Sequence, residues 1–320
     1  MSFTSTVKEE ISRIDNTRSE SIAELSGFLR NNGDCDEKTI ELVTENATVA
    51  KRIYKLMKDI YDVTCEIETR KNTNFSKNNL YLITISEKID FILKDLSILD
   101  ENGEILPVPK EYILGTEEDV RAYLRGAFLS KGSINDPKTA RYHLEYLIEE
   151  KPEAEVISNL LNLFELNSKI ITRDKGYMVY MKEAEKIGDF LRIVNANSAV
   201  LYYEDIRIYR DHKNMTNRLN NMEQANMDKI VATASKQLET INYLKENAAM
   251  DLLDDKTKEV IEYREKYPEA SLTELAEIIS YETRKPITKS GLNHRFRKIN
   301  ELVDRIRENC WIIWLYMLIY

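Results

Sequence analysis

A chain of 320 residues, 42% hydrophobic and 32% charged with only 9 Gly and 6 Pro, has a globular composition with room for two or three packed domains, which excludes a disordered chain. Its three scattered cysteines, Cys35, Cys65 and Cys310, exclude a disulfide framework or a zinc module and fit a reducing, cytosolic compartment. A net charge of −9 argues against nucleic acid until its distribution is read: Arg284 to Arg307 holds eight Lys and Arg against Glu301 and Asp304, a segment of +6 on a remainder of −15.

The N-terminal stretch MSFTSTVKEEISR has no apolar run and does not read as a signal peptide. Ser21 to Asn31 carries Ile22, Leu25, Phe28 and Leu29 at helical spacing. Thr39 to Val43 is a short strand candidate. Ala47 to Tyr61 is an amphipathic helix with Val49, Ile53, Leu56, Met57 and Ile60 on one side. Val63, Cys65 and Ile67 alternate with polar residues, as does Leu80 to Ile85, which predicts a hairpin around the polar loop Arg70 to Asn79. Glu87 to Leu96 predicts a further helix.

Asn102-Gly103, Pro107 and Pro109 mark a linker. Beyond it the order recurs. Glu117 to Lys131 is a helix, and Ser133 to Ile148 contains extended sequence broken at Asn135-Asp136-Pro137. Glu153 to Leu166 is a helix. Ser168 to Thr172 and Tyr177 to Met181 flank a Lys175-Gly176 turn, and Glu183 to Val194 is helix again. From Asn197 to Leu253 there is no strand signal, only long helices. They carry a polar run of Arg218, Asn220, Asn221, Glu223 and Asn226, expected as a solvated face or an inter-domain joint.

The segment Asp251 to Arg307 is all helix. Ser271 and Glu274 form a capping box. Arg284 to Ile287 is a loop containing Pro286, and Thr288 is the N-cap of a second helix with Leu292, Phe296, Ile299 and Val303 on its apolar side. Two short helices around a turn, the second basic, form a helix-turn-helix. The polar face of that second helix is Lys289, Ser290, Asn293, His294, Arg297 and Lys298, with Arg295 beside it. Ser290, Asn293, His294 and Arg295 are candidates for base readout, and Lys289, Arg297 and Lys298 for phosphate. The partner expected is double-stranded DNA.

The last eleven residues, Cys310 to Tyr320, are CWIIWLYMLIY. They are too few to span a bilayer, which takes about 20, so no membrane association is expected. An altered reading frame or an engineered addition fits this tail better than a function; a membrane-dipping or partner-docking segment is the alternative.

One phrase occurs twice. Leu25 to Gly33 reads LSGFLRNNG and Leu124 to Gly132 reads LRGAFLSKG, 99 residues apart. Each closes an apolar helix and leads into extended sequence, so the repeat marks a duplicated half-domain. The phrase, its two copies and the element order after each resemble the LAGLIDADG homing endonucleases. That resemblance implies two motif helices packed through small residues, here Gly27 and Gly126, and an acidic residue closing each motif to bind Mg²⁺. In this chain those acidic positions are Asn32 and Lys131. An amide is a poor ligand for a hard cation and an ammonium repels one. Asp34 and Asp136 stand at the wrong offset, so nuclease activity is not expected, and no metal or cofactor is.

No dinucleotide or P-loop fingerprint is present, and His143, His212 and His294 lie far apart. A degenerate LAGLIDADG body joined to a C-terminal helix-turn-helix resembles the WhiA regulators of Gram-positive bacteria. The resemblance is carried by LSGFLRNNG, TENATVAKRIY (44–54), RAYLRGAFLSKGSI (121–134), NRLNNMEQAN (217–226) and KSGLNHRFRKI (289–299). It implies a non-enzymatic regulator, cytoplasmic and nucleoid-associated, in cell division and chromosome segregation, or in sporulation where the organism sporulates. The tail from Cys310 departs from the family pattern.

The expected fold class is α+β: a pseudo-symmetric duplicated LAGLIDADG-like domain followed by an all-α helix-turn-helix domain. The divisions are 1–104 and 105–212 for the halves, 213–250 for a helical linker, 251–309 for the DNA-binding domain and 310–320 for the tail. The alternative function is a protein-interaction scaffold whose acidic body takes a basic partner. Lys71 and Lys77, in the Asn-rich hairpin tip, are either phosphate contacts or a solvated turn.

Overall fold

The computed structural model describes residues 2–36, 38–71, 79–139 and 141–319, without the side chains of Lys71 and of residues 309–319. The chain forms two compact units, Met1–Asp211 and His212–Tyr320.

The first unit opens with α1 (Phe3–Ile11), whose N-cap Ser2 accepts from the Ser5 backbone N–H. It buries Phe3, Val7 and Ile11, one residue per turn. Three apolar residues among charges leave little periodicity in the sequence, and this helix was not predicted. α2 (Arg18–Asn32) begins three residues before the predicted start because Thr17 and Glu20 form a capping box. β1 (Gly33–Cys35) follows directly and pairs with β2 (Ile40–Thr44). α3 (Ala47–Tyr61) has the predicted bounds: the Asn46 side chain accepts from Thr48 and Val49, and Asp62 ends the helix at φ 51°. β3 (Cys65–Lys71), β4 (Asn79–Ile85) and α4 (Ile89–Asp95) complete the half. Its sheet is antiparallel, ordered β1-β2-β4-β3.

The predicted linker is a turn tied to α2. Leu99 bridges Ile105, and the Arg30 guanidinium donates to the carbonyls of Ser97 and Leu106. The second half repeats the plan with α5 (Glu117–Lys131), β5 (Gly132–Ile134), β6 (Leu144–Ile148), α6 (Lys151–Leu163), β7 (Lys169–Arg173), β8 (Gly176–Met181) and α7 (Ala184–Ile193). Its sheet order is β5-β6-β8-β7, the same as in the first half. The predicted turn is confirmed at Gly176, whose φ of +123° favours glycine.

The repeated phrases lie at the ends of α2 and α5, which pack against each other. A β-carbon on Gly27 would lie 2.3 Å from the Tyr123 carbonyl oxygen, and one on Gly126 would lie 1.9 Å from that of Glu24. Leu25, Phe28, Leu124 and Phe128 are fully buried around this crossing. One charged cluster crosses it. Glu24, with no exposed side-chain surface, accepts from Arg52 Nε at 2.8 Å on one oxygen. Its other oxygen accepts from Arg125 Nε at 3.1 Å and Asn16 Nδ2 at 2.7 Å.

α8 runs as one helix over Asn197–Glu246, where several were expected. Its first backbone N–H groups, at Ser198 and Ala199, are capped by Glu10 of α1. In the second unit, α9 (Asp255–Lys266), α10 (Leu272–Thr283) and α11 (Lys289–Ile319) follow. Their core is Val260, Ile261, Leu275, Ile279, Leu292, Phe296 and Ile299, joined by Ile241 and Leu244 of α8, upstream of residue 251. The helical backbone of α11 continues through residues 310–319, whereas the charged stretch before Cys310 was expected to end it. The tail's side chains lie outside the description, as does Lys77. No helix among the described residues is long and apolar enough to cross a membrane.

Candidate nucleic-acid interface

The turn between α10 and α11 is built by three local devices. The Ser271 hydroxyl and Glu274 cap α10 reciprocally. Arg284 ends that helix at φ 56°, and the Ser280 hydroxyl both accepts from Ile287 N–H at 2.9 Å and donates to its carbonyl at 3.2 Å. Thr288 Oγ1 then accepts from Gly291 N–H at 3.2 Å and starts α11. With Leu292, Phe296 and Ile299 sealed in the core, the opposite side of α11 faces outward.

That outward face holds Lys289, Ser290, Asn293, His294, Arg297 and Lys298, all exposed. Arg297 Nη2 lies 3.0 Å from His294 Nδ1. Arg295 differs from the rest. It is half-buried and donates Nη1 to the Lys256 carbonyl of α9 at 2.7 Å. Hydrogen bonds from Thr257 hold the Asp254 carboxyl below its usual range, with Lys298 and Arg295 adding to the effect, so two cations of this face stand near an acid at the start of α9. A row of donors on the first three turns of one helix can contact a duplex groove.

The ends of the two motif helices present different chemistry. Asn32 is used by the neighbouring strand: its Nδ2 donates to the Val43 carbonyl and its Oδ1 accepts from Val43 N–H, both at 2.8 Å. Lys131 Nζ pairs with Glu149 at 3.1 Å. Asp34 is exposed on β1, and Asp136 closes a local turn on Lys138 N–H at 2.9 Å. Asn32, Asp34, Lys131 and Glu149, but not Asp136, line a cavity of about 350 Å³. Its buried carboxylate, Glu153, accepts from Tyr123 Oη at 2.7 Å and Asn31 Nδ2 at 3.2 Å. Burial holds that carboxyl above its usual pKa. No group of three His, Cys, Asp or Glu among the described residues is placed to hold a metal ion.

The exposed face of the first sheet is acidic. Asp34, Glu41, Thr84 and Glu66 are successive cross-strand partners, and Val43, Leu82 and Glu68 form the next row on the same face. Sequence reading missed this row because it joins positions from four strands, and no local pattern reports their register. It also missed the tie from Arg295 to Lys256 and the buried Arg264 of α9, whose only sequence signal is its spacing from Val260 and Ile261.

Comparison with known proteins matches this arrangement in order. Residues 18–99 match the WhiA N-terminal LAGLIDADG-like domain, 120–213 the WhiA LAGLIDADG-like domain and 216–303 the WhiA C-terminal HTH domain. The chain is 42% identical over 311 residues to a protein of Bacillus cereus named "Probable cell division protein WhiA", covering 96% of this chain and 98% of that one. A protein of Bacillus cytotoxicus with the same name matches at the same identity and coverage. The crystal structure of full-length DUF199/WhiA from Thermatoga maritima superposes with a TM-score of 0.58 at 24% identity, covering 95% of this chain and 99% of that one.

Proposed function

This chain belongs to the WhiA family, and on that premise we propose that it is a non-enzymatic transcription regulator that binds double-stranded DNA. It acts in cell division and chromosome segregation, and in sporulation where the organism sporulates, in the cytoplasm at the nucleoid. The observation that carries this reading is the exposed polar face of α11 set over a sealed apolar one. Lys289, Arg297 and Lys298 hold phosphates, while Ser290, Asn293 and His294 read base edges. Arg295 reaches a base only by leaving the Lys256 carbonyl.

The LAGLIDADG-like halves are a retained scaffold without cleavage chemistry. What supports this is that Asn32 is held by Val43 and that Lys131 is a cation paired with Glu149, so neither motif position supplies an anionic oxygen for a metal ion. A second reading, docking of a basic protein partner on this body, is favoured by the acidic face that carries Asp34, Glu41 and Glu66 in one row and Glu68, paired with Arg70, in the next, which repels a phosphate backbone.

Fluorescence anisotropy of the full chain on DNA selected by it, across a salt series, tests the DNA reading. Arg297→Ala is expected to weaken all sequences about equally and to lower the salt slope by about one. Asn293→Ala is expected to relax specificity at one position, by about 1–3 kcal/mol. Unchanged affinity, salt slope and sequence preference in both variants would overturn the assignment of this face.

A further inference from the structure

We propose that the C-terminal unit contains a ligand site adjoining the DNA-facing surface of α11, with which it shares Lys289: a pocket for the phosphate group of a small phosphorylated molecule. Segments of α8, α9, α10 and α11 enclose about 460 Å³, within the roughly 300–1,000 Å³ usual for small-molecule sites. Lys229, Arg264 and Lys289 line it, and the lining contains no Asp or Glu. Thr233, Ser271, Thr273 and Asn226 add neutral polar groups, and Ile230 and Leu272 add apolar wall.

Arg264 carries the argument. It is 1% exposed, yet no carboxylate pairs with it among the described residues. Its Nη1 donates to the carbonyls of Ala270 at 2.6 Å and Tyr267 at 3.3 Å, and its Nε has no partner. Burial lowers its pKa from the ordinary arginine value, with no opposing charge to raise it. Its guanidinium carbon lies 5.9 Å from the Phe296 ring centroid, but a buried guanidinium without an anionic partner is still costly, and an arriving anion offsets that cost.

The second contribution is the start of α10, which forms part of the wall. The capping box occupies the Glu274 N–H, so the N–H groups of Leu272 and Thr273 remain at the positive end of the helix dipole. Guanidinium, two ammonium groups and the free N–H groups at the start of α10 select a phosphate over a neutral or cationic ligand, the Glu274 carboxylate at that helix start being engaged by the Ser271 N–H. A volume well above one phosphate, with apolar wall on one side, leaves room for the organic part.

Calorimetric titration of the full chain with inorganic phosphate and with pyrophosphate, at constant ionic strength and without DNA, tests this independently of the DNA-binding reading. Saturable one-to-one binding is expected, weakened roughly tenfold by Lys229→Ala and left intact by Lys236→Ala, an exposed lysine outside the pocket. Arg264→Met is expected to abolish binding; because that residue is buried, the exposed Lys229 keeps the test decisive if it fails to fold. Absence of saturable binding up to about 10 mM, or equal affinity in Lys229→Ala, would overturn the proposal. So would a third result: no binding of either probe, with Lys229→Ala lowering the salt slope for DNA, which would assign the pocket to a backbone phosphate instead.

Discussion

Gly126 lies so close to Glu24 of the facing helix that a β-carbon would stand 1.9 Å from the Glu24 carbonyl oxygen. Gly27 stands in the same relation to Tyr123, at 2.3 Å, and Tyr123 follows Glu24 by the 99-residue offset of the repeat. The duplication is therefore visible in the packing itself: each half contributes one glycine and one backbone carbonyl.

Gly126→Ala is accordingly expected to push the helices apart and to destabilise the fold by about 3 kcal/mol, with Gly27→Ala somewhat less costly. Gly291→Ala is the contrasting case. Its added carbon would meet only Ile287 and Thr288 side-chain atoms at 3.5 Å, ordinary contact inside a helix, so a gain of about 0.5–1 kcal/mol is expected. Urea unfolding of the three variants measures both signs.

Glu24→Ala should be among the most damaging substitutions in the first unit. It leaves the guanidinium groups of Arg52 and Arg125 buried without an anion, a cost of about 3–5 kcal/mol. Replacing all three with methionine should recover most of that loss, because the burial penalty of the two cations disappears with them. Thermal melts of the single and triple variants separate these outcomes.

Asn32→Asp keeps the shape of the side chain but removes the N–H that donates to the Val43 carbonyl. A carboxylate oxygen would then face that carbonyl, and a loss of about 1–3 kcal/mol is expected. The unaltered chain should leave plasmid DNA intact with Mg²⁺ or Mn²⁺. Metal-dependent nicking that disappears in Asp34→Ala or Asp136→Ala would show that a cleavage site survives.

Lys8 gives a pH dependence. Partial burial against α5, where its Nζ reaches the Ser130 carbonyl at 3.5 Å, offset in part by Glu45, lowers its pKa from 10.5 to about 8. Below pH 8 the ammonium is charged in both states, and the folded chain bears the whole burial cost. Between pH 8 and 10.5 the unfolded chain binds the extra proton, so this group's contribution to stability rises with pH, by at most about 1.4 kcal/mol per unit. Lys8→Met should thus be more stable than the unaltered chain at pH 7, with the gap closing by pH 10.5. A gap that is constant across that range would contradict the assignment.

Much of the fold was legible because its signals are local. The Ala47–Tyr61 helix, the individual strands of both hairpins and the Ser271 capping box each rest on residues within a few positions of one another. α1 was missed because three buried side chains among charges make a weak stripe. Extended sequence was expected after the first phrase, but β1 was given no bounds because its three exposed residues show no alternation.

The sequence by itself determined the duplication, the family and the basic helix-turn-helix, since a repeat offset, a cap and a charge run are written along the chain. Only the tertiary structure decided what individual polar residues do. Asn32 became a strand clamp, Arg295 a tie to α9, and Arg264 a buried cation in a pocket without acids. These roles depend on which distant backbone atoms arrive beside each side chain. That is set by sheet register and helix packing, not by spacing in the chain.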